Sequence, residues 1–470
     1  MNASAEPGKP RMALHTRILL GLLIGAVLGI IANQMVGPEN PVVAFVNEYI
    51  AGPVGQVFFN LLYMIVMPLV FASISLGVAG LGDLKKAGRV GIRALGYFVI
   101  STALAASAGL ILVGIIKPGT RVSAATRDGL MDAYSGDAAQ RVAQSESVTF
   151  GIDTFVNIVT RNPIASAVNN DMLGVIFFGI MFGVALTMIR GDRATVMVRW
   201  LEALNDIVIK IVEIAMRLAP YGVAGLIFGV MSRFGFDLLV PIGRYIVTVM
   251  GGLLAHGLIT IPIIVWLTVR VRPWDFYRRV RASLVTAFST SSSAATLPTN
   301  IAVAERSLGV PPRIAGFVLP LGATMCMNGT AIFEGITVIF LAQVFGVTLD
   351  VGQQAVVMVM CVLTAVGAAG VPGGSIPLLV GILAMFGVPG EAIGIVLGVD
   401  RILDMSRTTL NVVGDLGASL YVAKNEAGWT LADLPDDAGR IVPAQLDETP
   451  DWSPGEEFAE VQREELGKPS

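Results

Sequence analysis

The chain has 470 residues, of which 54% are hydrophobic and 14% charged. A soluble globular domain is nearer a quarter charged, so the balance excludes an ordinary soluble protein and points to one membrane-embedded unit. The net charge of −3 hides an asymmetry: residues 425–470 carry a net −9, leaving +6 for residues 1–424.

A membrane-spanning helix needs about 20 largely apolar residues. Charge-free runs of that order recur at Ile18–Pro38, Tyr49–Gly82, Ala94–Ile116, Met172–Ile189, Tyr245–Val269, Ala282–Ala304, Ile314–Phe333 and Val351–Gly390. Basic residues in short loops mark the cytoplasmic side. They precede the first run (Arg11, Arg17) and follow the second (Lys85, Lys86, Arg89, Arg93), the fourth (Arg190, Arg193, Arg199) and the fifth (Arg270, Arg272, Arg278, Arg279, Arg281). The pattern predicts a cytoplasmic N-terminus at 1–15 and a six-span region over 16–270. Its spans fall at about 16–36, 52–80, 92–116, 151–190, 197–231 and 241–269, the fourth interrupted at Asn162-Pro163 and Asn169-Asn170-Asp171. Both termini are expected in the cytoplasm of a multi-pass cell (inner) membrane protein.

The second half, a core expected over 275–424, follows another plan. Residues 282–304 carry a hydroxyl cluster, Ser289–Ser293, in mid-run. Residues 351–390 are too long for one span and turn at Gly370-Val-Pro-Gly-Gly-Ser375. A Gly/Pro turn between apolar arms reads as a helical hairpin entering and leaving by one face. Each hairpin precedes a helix with polar groups at membrane depth, at 311–343 and 392–424. That is a candidate inverted repeat, an arrangement that places substrate at the bilayer midplane. Residues 425–470, rich in Pro, Asp and Glu, read as a mostly disordered acidic cytoplasmic tail.

The last helix holds the most informative stripe. Asp404, Arg407 with Thr408, Asn411 and Asp415 recur every three or four residues and share one helical face. Ionisable groups at membrane depth are costly and face polar cavities where they function. Arg407 offers a planar fork for a carboxylate and Asp404 an anion for an ammonium. Together they suit an amino acid with a second carboxylate, while hairpin serines and backbone amides suit its α-carboxylate. An internal Asp–Arg ion pair that only locks the bundle is the bland alternative. Asn328-Gly329 inside an apolar segment signals unwinding, and freed carbonyls there suit Na⁺ with Asp415 as charged partner. Glu334, an acid in an apolar segment, is a proton-coupling candidate. The cysteines, Cys326 and Cys361, lie in apolar segments and suggest neither a disulfide framework nor a zinc site. An intramembrane hydrolase would need a nucleophile and a base, and only Ser289–Ser293 and His256 offer them. The chain is therefore expected not to be an enzyme.

Four ordered segments, STSSSAATLP (289–298), LPLGATMCMNGT (319–330), GVPGGS (370–375) and DRILDMSRTTLNVVGD (400–415), resemble the glutamate transporter family, the dicarboxylate/amino acid:cation symporters. The resemblance runs from about residue 15 to 424. It implies an all-α polytopic fold of eight transmembrane helices plus two re-entrant hairpins, forming homotrimers that work by an elevator motion, with the second hairpin as outer gate. It implies a substrate site of Ser291, Ser293, Met327, Thr330, Val371, Gly374, Ser375, Asp404, Arg407, Thr408 and Asn411. One sodium site maps to carbonyls of Gly322, Cys326 and Asn411 with the Asp415 carboxylate, and a second to carbonyls of Thr324, Ala365, Val366 and Ala368. At a third, the family's Asn-Met-Asp-Gly-Thr is here Cys326-Met327-Asn328-Gly329-Thr330. Ser101 and Thr102 keep the hydroxyls of that site, but Phe98 stands where tyrosine is common. A thiol and a neutral amide replace two oxygen donors, one anionic, and a hard cation favours oxygen. Fewer sodium ions are expected, with protons replacing some or all of the coupling through Glu334. The expected activity is import of aspartate or glutamate with Na⁺ and/or H⁺, with no other cofactor and no nucleic acid. A C4-dicarboxylate or neutral amino acid symporter of the same fold is the alternative, anion-channel activity being secondary.

Overall fold

The structure, a computed structural model, describes residues 14–435 except 87–88, 121, 124–125, 128–158, 169–171, 190–191, 368–369 and 371. Among the described residues every regular element is a helix. Among the described residues five stretches are long and apolar enough to cross a membrane: Thr16–Val36, Pro41–Ala79, Arg89–Ile116, Asp192–Val269 and Pro312–Val344.

The first helix, α1 (Leu14–Ile31), packs along α6 (Asp192–Phe234). Gly21 and Gly25 recur every four residues on α1 and meet the carbonyls of Pro220 and Ala224; a Cβ at either would come within 2.4 Å of them. Small residues at this spacing bring backbones together where lipid supplies no hydrophobic drive between helices. The opposite face of α1 exposes Leu23, Ile24, Val27 and Leu28, each more than half exposed, as a lipid-facing surface does.

The span expected at 52–80 is two helices, α2 (Gly52–Tyr63) and α3 (Val66–Lys86). Pro68 explains the break, because it has no N–H to give the carbonyl of Met64. The expected span at 92–116 is α4 (Arg89–Ile116). Of the span expected at 151–190, residues 151–158, 169–171 and 190 lie outside the described residues. Its described part is a short helix, Pro163–Val168, followed by α5 (Met172–Met188), which packs on α3. Asn162 starts the short helix by accepting the N–H groups of Ile164 and Ala165 at 3.0 and 3.2 Å; Asn169-Asn170-Asp171 falls outside the described residues. The 43-residue α6 is longer than the expected 197–231 and, at about 1.5 Å per residue, longer than a bilayer is thick. The last span of this half is α7 (Leu239–Ala255), a π turn over His256–Thr260, and α8 (Ile261–Val269).

In the second half, α9 (Pro273–Thr290) and α10 (Ser293–Arg306) pack on each other around the hydroxyl cluster. The first arm starts well before the apolar run at 282, because Pro273 fits the first helical position. The helix expected at 311–343 is two: α11 (Pro312–Met325) and α12 (Asn328–Val344), parted at Cys326 and Met327. The break thus precedes Asn328-Gly329, which begin the second helix. Next come α13 (Val351–Gly367) and α14 (Ile376–Met385), the arms around the glycine-rich turn, and α15 (Gly394–Glu426), unbroken through the charged stripe.

Largely apolar, α12 is buried along nearly all its length, with Gln343 the exception, and a helix of that kind belongs in a core. It packs against α15, α4 and α13, while α15 also meets α9, α10 and α11. The tail boundary expected at 425 falls inside packed structure. Trp429 is 4% exposed, and its indole N–H donates to the Leu308 carbonyl at 2.9 Å. Arg279 reaches the carbonyls of Ser307 and Pro435 at 2.8 and 2.9 Å. Residues 425–435 therefore strap the foot of the α9–α10 pair; 436–470 lie outside the described residues.

Candidate functional site

The site is built where two helix-pair tips meet the middle of α15. At the first tip α9 ends on Ser291, in the left-handed region at φ 52°. Ser292 then caps α10, its side chain accepting the Ala295 N–H at 3.1 Å and satisfying a donor that the helix leaves free. The same hydroxyl donates to the Gly370 carbonyl at 2.7 Å, and the Ala294 N–H reaches that carbonyl at 3.2 Å. The two tips are thus joined. At the second tip Gly373 has φ +74°, a conformation costly for any residue with a Cβ.

On α15, Arg407 is 2% exposed and held by two carboxylates. Its Nη1 lies 2.9 Å from Asp400 Oδ1, and its Nε and Nη2 lie 3.0 and 2.9 Å from Asp404 Oδ1. Its guanidinium stacks 4.2 Å from the centre of the Phe333 ring. The other Asp404 oxygen accepts the Gly373 N–H at 3.2 Å and Arg401 Nη1 at 3.3 Å. The internal ion pair and the cavity-lining arginine weighed as alternatives are thus both present.

One turn on, Asn411 organises the break between α11 and α12. Its Oδ1 accepts the N–H groups of Gly329 and Thr330 at 2.7 and 3.4 Å, and its Nδ2 lies 3.3 Å from Thr330 Oγ1. A side chain from α15 thereby caps α12, whose first N–H groups have no partner within the helix. Gly329 makes this approach possible: a Cβ there would stand 2.3 Å from the Arg407 carbonyl.

These elements line a partly open cavity. Ten of the eleven residues expected to bind substrate line it: Ser291, Ser293, Met327, Thr330, Gly374, Ser375, Asp404, Arg407, Thr408 and Asn411. The eleventh, Val371, lies outside the described residues; Gly370 completes the lining. Among the described residues the buried hydroxyls of Ser291 and Ser375 have no hydrogen-bond partner, leaving donors for a ligand. His256 does not line the cavity.

Among the described residues no three His, Cys, Asp or Glu side chains converge as a metal cluster. A cation here would be held by carbonyl oxygens around a single carboxylate. Asp415 suits that role: it is fully buried, it abuts Gly322 and the Cys326 thiol, and apart from that thiol its oxygens have no hydrogen-bond partner among the described residues. Thr324 and Ala365 with Val366 lie near the ends of two packed helices, α11 and α13; Ala368 is outside the described residues. At the third expected position, Ser101 Oγ and Thr102 Oγ1 lie 3.2 and 2.9 Å from Asn328 Oδ1, and Cys326 Sγ is 4.0 Å from Ser101. Asn328 therefore engages the hydroxyls left there, and no carboxylate stands among these four side chains. Glu334, fully buried, accepts the Thr364 hydroxyl at 2.6 Å, one residue before Ala365. It links α12 to the first arm of the second helix pair.

Sequence reasoning missed Ser292 as the clasp between tips, Asp400 as second partner of Arg407, and Arg401 behind Asp404. Spacing gives Asp400 away, since it lies seven residues, two helical turns, before Arg407. Nothing local marks Ser292, whose partner is 78 positions distant.

An all-helical, apolar chain with a charged cavity between broken helices defines a polytopic membrane protein of the transporter class. The chain belongs to the sodium:dicarboxylate symporter family, whose pattern matches residues 14–425. It is 33% identical to the proton/glutamate-aspartate symporter of Escherichia coli K12, over 88% of this chain and 93% of that one. It is 31% identical to the proton/sodium-glutamate symport protein of Geobacillus stearothermophilus, over 93% and 99%. It is 33% identical to human excitatory amino acid transporter 2, over 88% and 80%.

Proposed function

We propose that the protein is a multi-pass symporter that imports aspartate or glutamate with Na⁺ and/or H⁺. The observation that carries this is the cavity in which Arg407 and Asp404 stand side by side, with unpartnered serine hydroxyls at its rim. An arginine fork receives the side-chain carboxylate, Asp404 the ammonium, and the tips the α-carboxylate. Relatives named as glutamate or aspartate symporters support the substrate class.

The proposal includes eight spans, two re-entrant hairpins related by an inverted repeat, a homotrimer, cytoplasmic termini, an elevator motion and an outer gate at 370–375. Asp415 serves one sodium site and Glu334 carries a proton, while the Asn328 cluster holds no cation. Purified protein in liposomes, given labelled aspartate under imposed Na⁺ or pH gradients, tests the proposal. Gradient-driven, saturable uptake is expected, and its absence under every gradient rejects symport of this substrate.

A second reading, transport of C4-dicarboxylates, is favoured by one observation: both Asp404 oxygens are already engaged. A substrate without an ammonium would leave those bonds intact. Succinate competing as well as aspartate decides for it.

A further inference from the structure

Arg401 is a charged side chain beside the site for which the binding scheme has no use. Its side chain is 11% exposed, and its Nη1 lies 3.3 Å from Asp404 Oδ2. It does not line the cavity; Asp404 and Arg407 do. Asp404 is therefore gripped from inside the cavity by Arg407 and from behind by Arg401. The Arg401 Nε is also buried and has no hydrogen-bond partner among the described residues; the hydrogen bond this side chain makes is to the Asp404 carboxylate, and the neighbouring Asp400 feels its charge as well.

The charges on this stretch of α15 alternate: Asp400, Arg401, Asp404, Arg407. With Arg401 they sum to zero; without it the site carries one net negative charge before any ligand arrives. An acidic amino acid brings a net negative charge and a neutral amino acid brings none. In a desolvated site, like charges placed together oppose binding and opposite charges favour it. Arg401 also shares the oxygen that an ammonium would use, which weakens the pull of Asp404 on the amine alone. Both effects act in one direction: they penalise a ligand that offers only an ammonium and tolerate one with a second carboxylate.

We propose that Arg401 is a positioning residue that sets substrate selectivity: from behind the cavity it holds Asp404 and neutralises the site, so that acidic amino acids are preferred over neutral ones. The inference rests on the aspartate/glutamate reading above. Its test compares L-aspartate with L-asparagine, which has the same shape and one fewer negative charge, in liposomes containing full-length wild type, Arg401→Gln or Arg401→Lys. In Arg401→Gln the KM ratio of asparagine to aspartate should fall about tenfold or more, chiefly through a higher KM for aspartate. Arg401→Lys, which keeps the charge, should stay within about threefold of wild type. A merely structural role would weaken both substrates alike and leave the ratio in place. An unchanged ratio in Arg401→Gln overturns the proposal. Should that variant not be recovered folded, Arg401→Lys decides, and loss of the preference there overturns it equally. If wild type itself takes up no aspartate, the functional reading falls and this inference with it; if wild type does and only the ratio fails to move, the inference alone falls.

Discussion

Ser292 and Gly370 join the two tips, the serine hydroxyl donating to the glycine carbonyl at 2.7 Å while also capping α10. One side chain thus performs two tasks, and Ser292→Ala removes both. The lost cap should cost about 1 kcal/mol of stability. The lost clasp should let the tips part more often, raising the aspartate KM a few-fold with little change in maximal rate. Reconstituted uptake and thermal unfolding check this; wild-type values in both would show that the clasp carries no energy.

Arg407 should tolerate no replacement. Removing one partner of a buried charge network leaves the other charges uncompensated, a cost of about 3–5 kcal/mol. Arg407→Ala is expected to abolish aspartate uptake. Arg407→Lys should rescue little, because an ammonium cannot reproduce the fork toward Asp400 and Asp404 or the stacking on Phe333. Robust transport by the lysine variant would mean that charge alone suffices.

At Asp404 the effect should depend on the substrate. Asp404→Asn removes the anion that an ammonium needs, so amino acid uptake should fall more than any uptake of succinate. Equal losses would assign Asp404 to holding the second tip through Gly373 rather than to ligand recognition.

Backbone proximity gives a paired test. A Cβ at Gly329 would stand 2.3 Å from the Arg407 carbonyl, whereas one at Gly316 would meet nothing within 4 Å. Gly329→Ala should displace α12 from α15 and destroy uptake, while Gly316→Ala should leave it intact. Similar behaviour of the two would argue against the close approach of these helices.

Ion coupling separates two acids. Asp415→Asn should remove the sodium dependence of uptake. Glu334→Gln, which keeps an acceptor for the Thr364 hydroxyl but cannot carry a proton, should abolish uptake driven by a pH gradient alone. Sodium-only drive in wild type, with an active Glu334→Gln variant, sinks the proton route.

The periodic features of this chain were legible from sequence because they are local. Apolar runs gave the helices, and the three-to-four spacing of Asp404, Arg407 and Asn411 placed them on one face of α15. Breaks were less legible. Asn328-Gly329 looks like a helix breaker by composition, yet it starts α12 because Asn411, 82 positions away, supplies the cap. Pro68 parts α2 from α3 by withholding one N–H inside a run that carries no charge. The start of the tail was least legible: its acidic, proline-rich composition argues for a mostly disordered extension, but the single indole of Trp429 anchors its first residues. Average composition is insensitive to one well-placed aromatic ring.

That anchoring makes Trp429 a built-in optical probe. Among the described residues the other tryptophans, Trp200, Trp266 and Trp274, are 46% exposed or more, whereas Trp429 is enclosed against Leu308 at the base of the first helix pair. Any swing of that pair away from α15 must wet this indole, so its fluorescence should shift to the red when the pair opens. The protein would then report its own conformation in solution without a label.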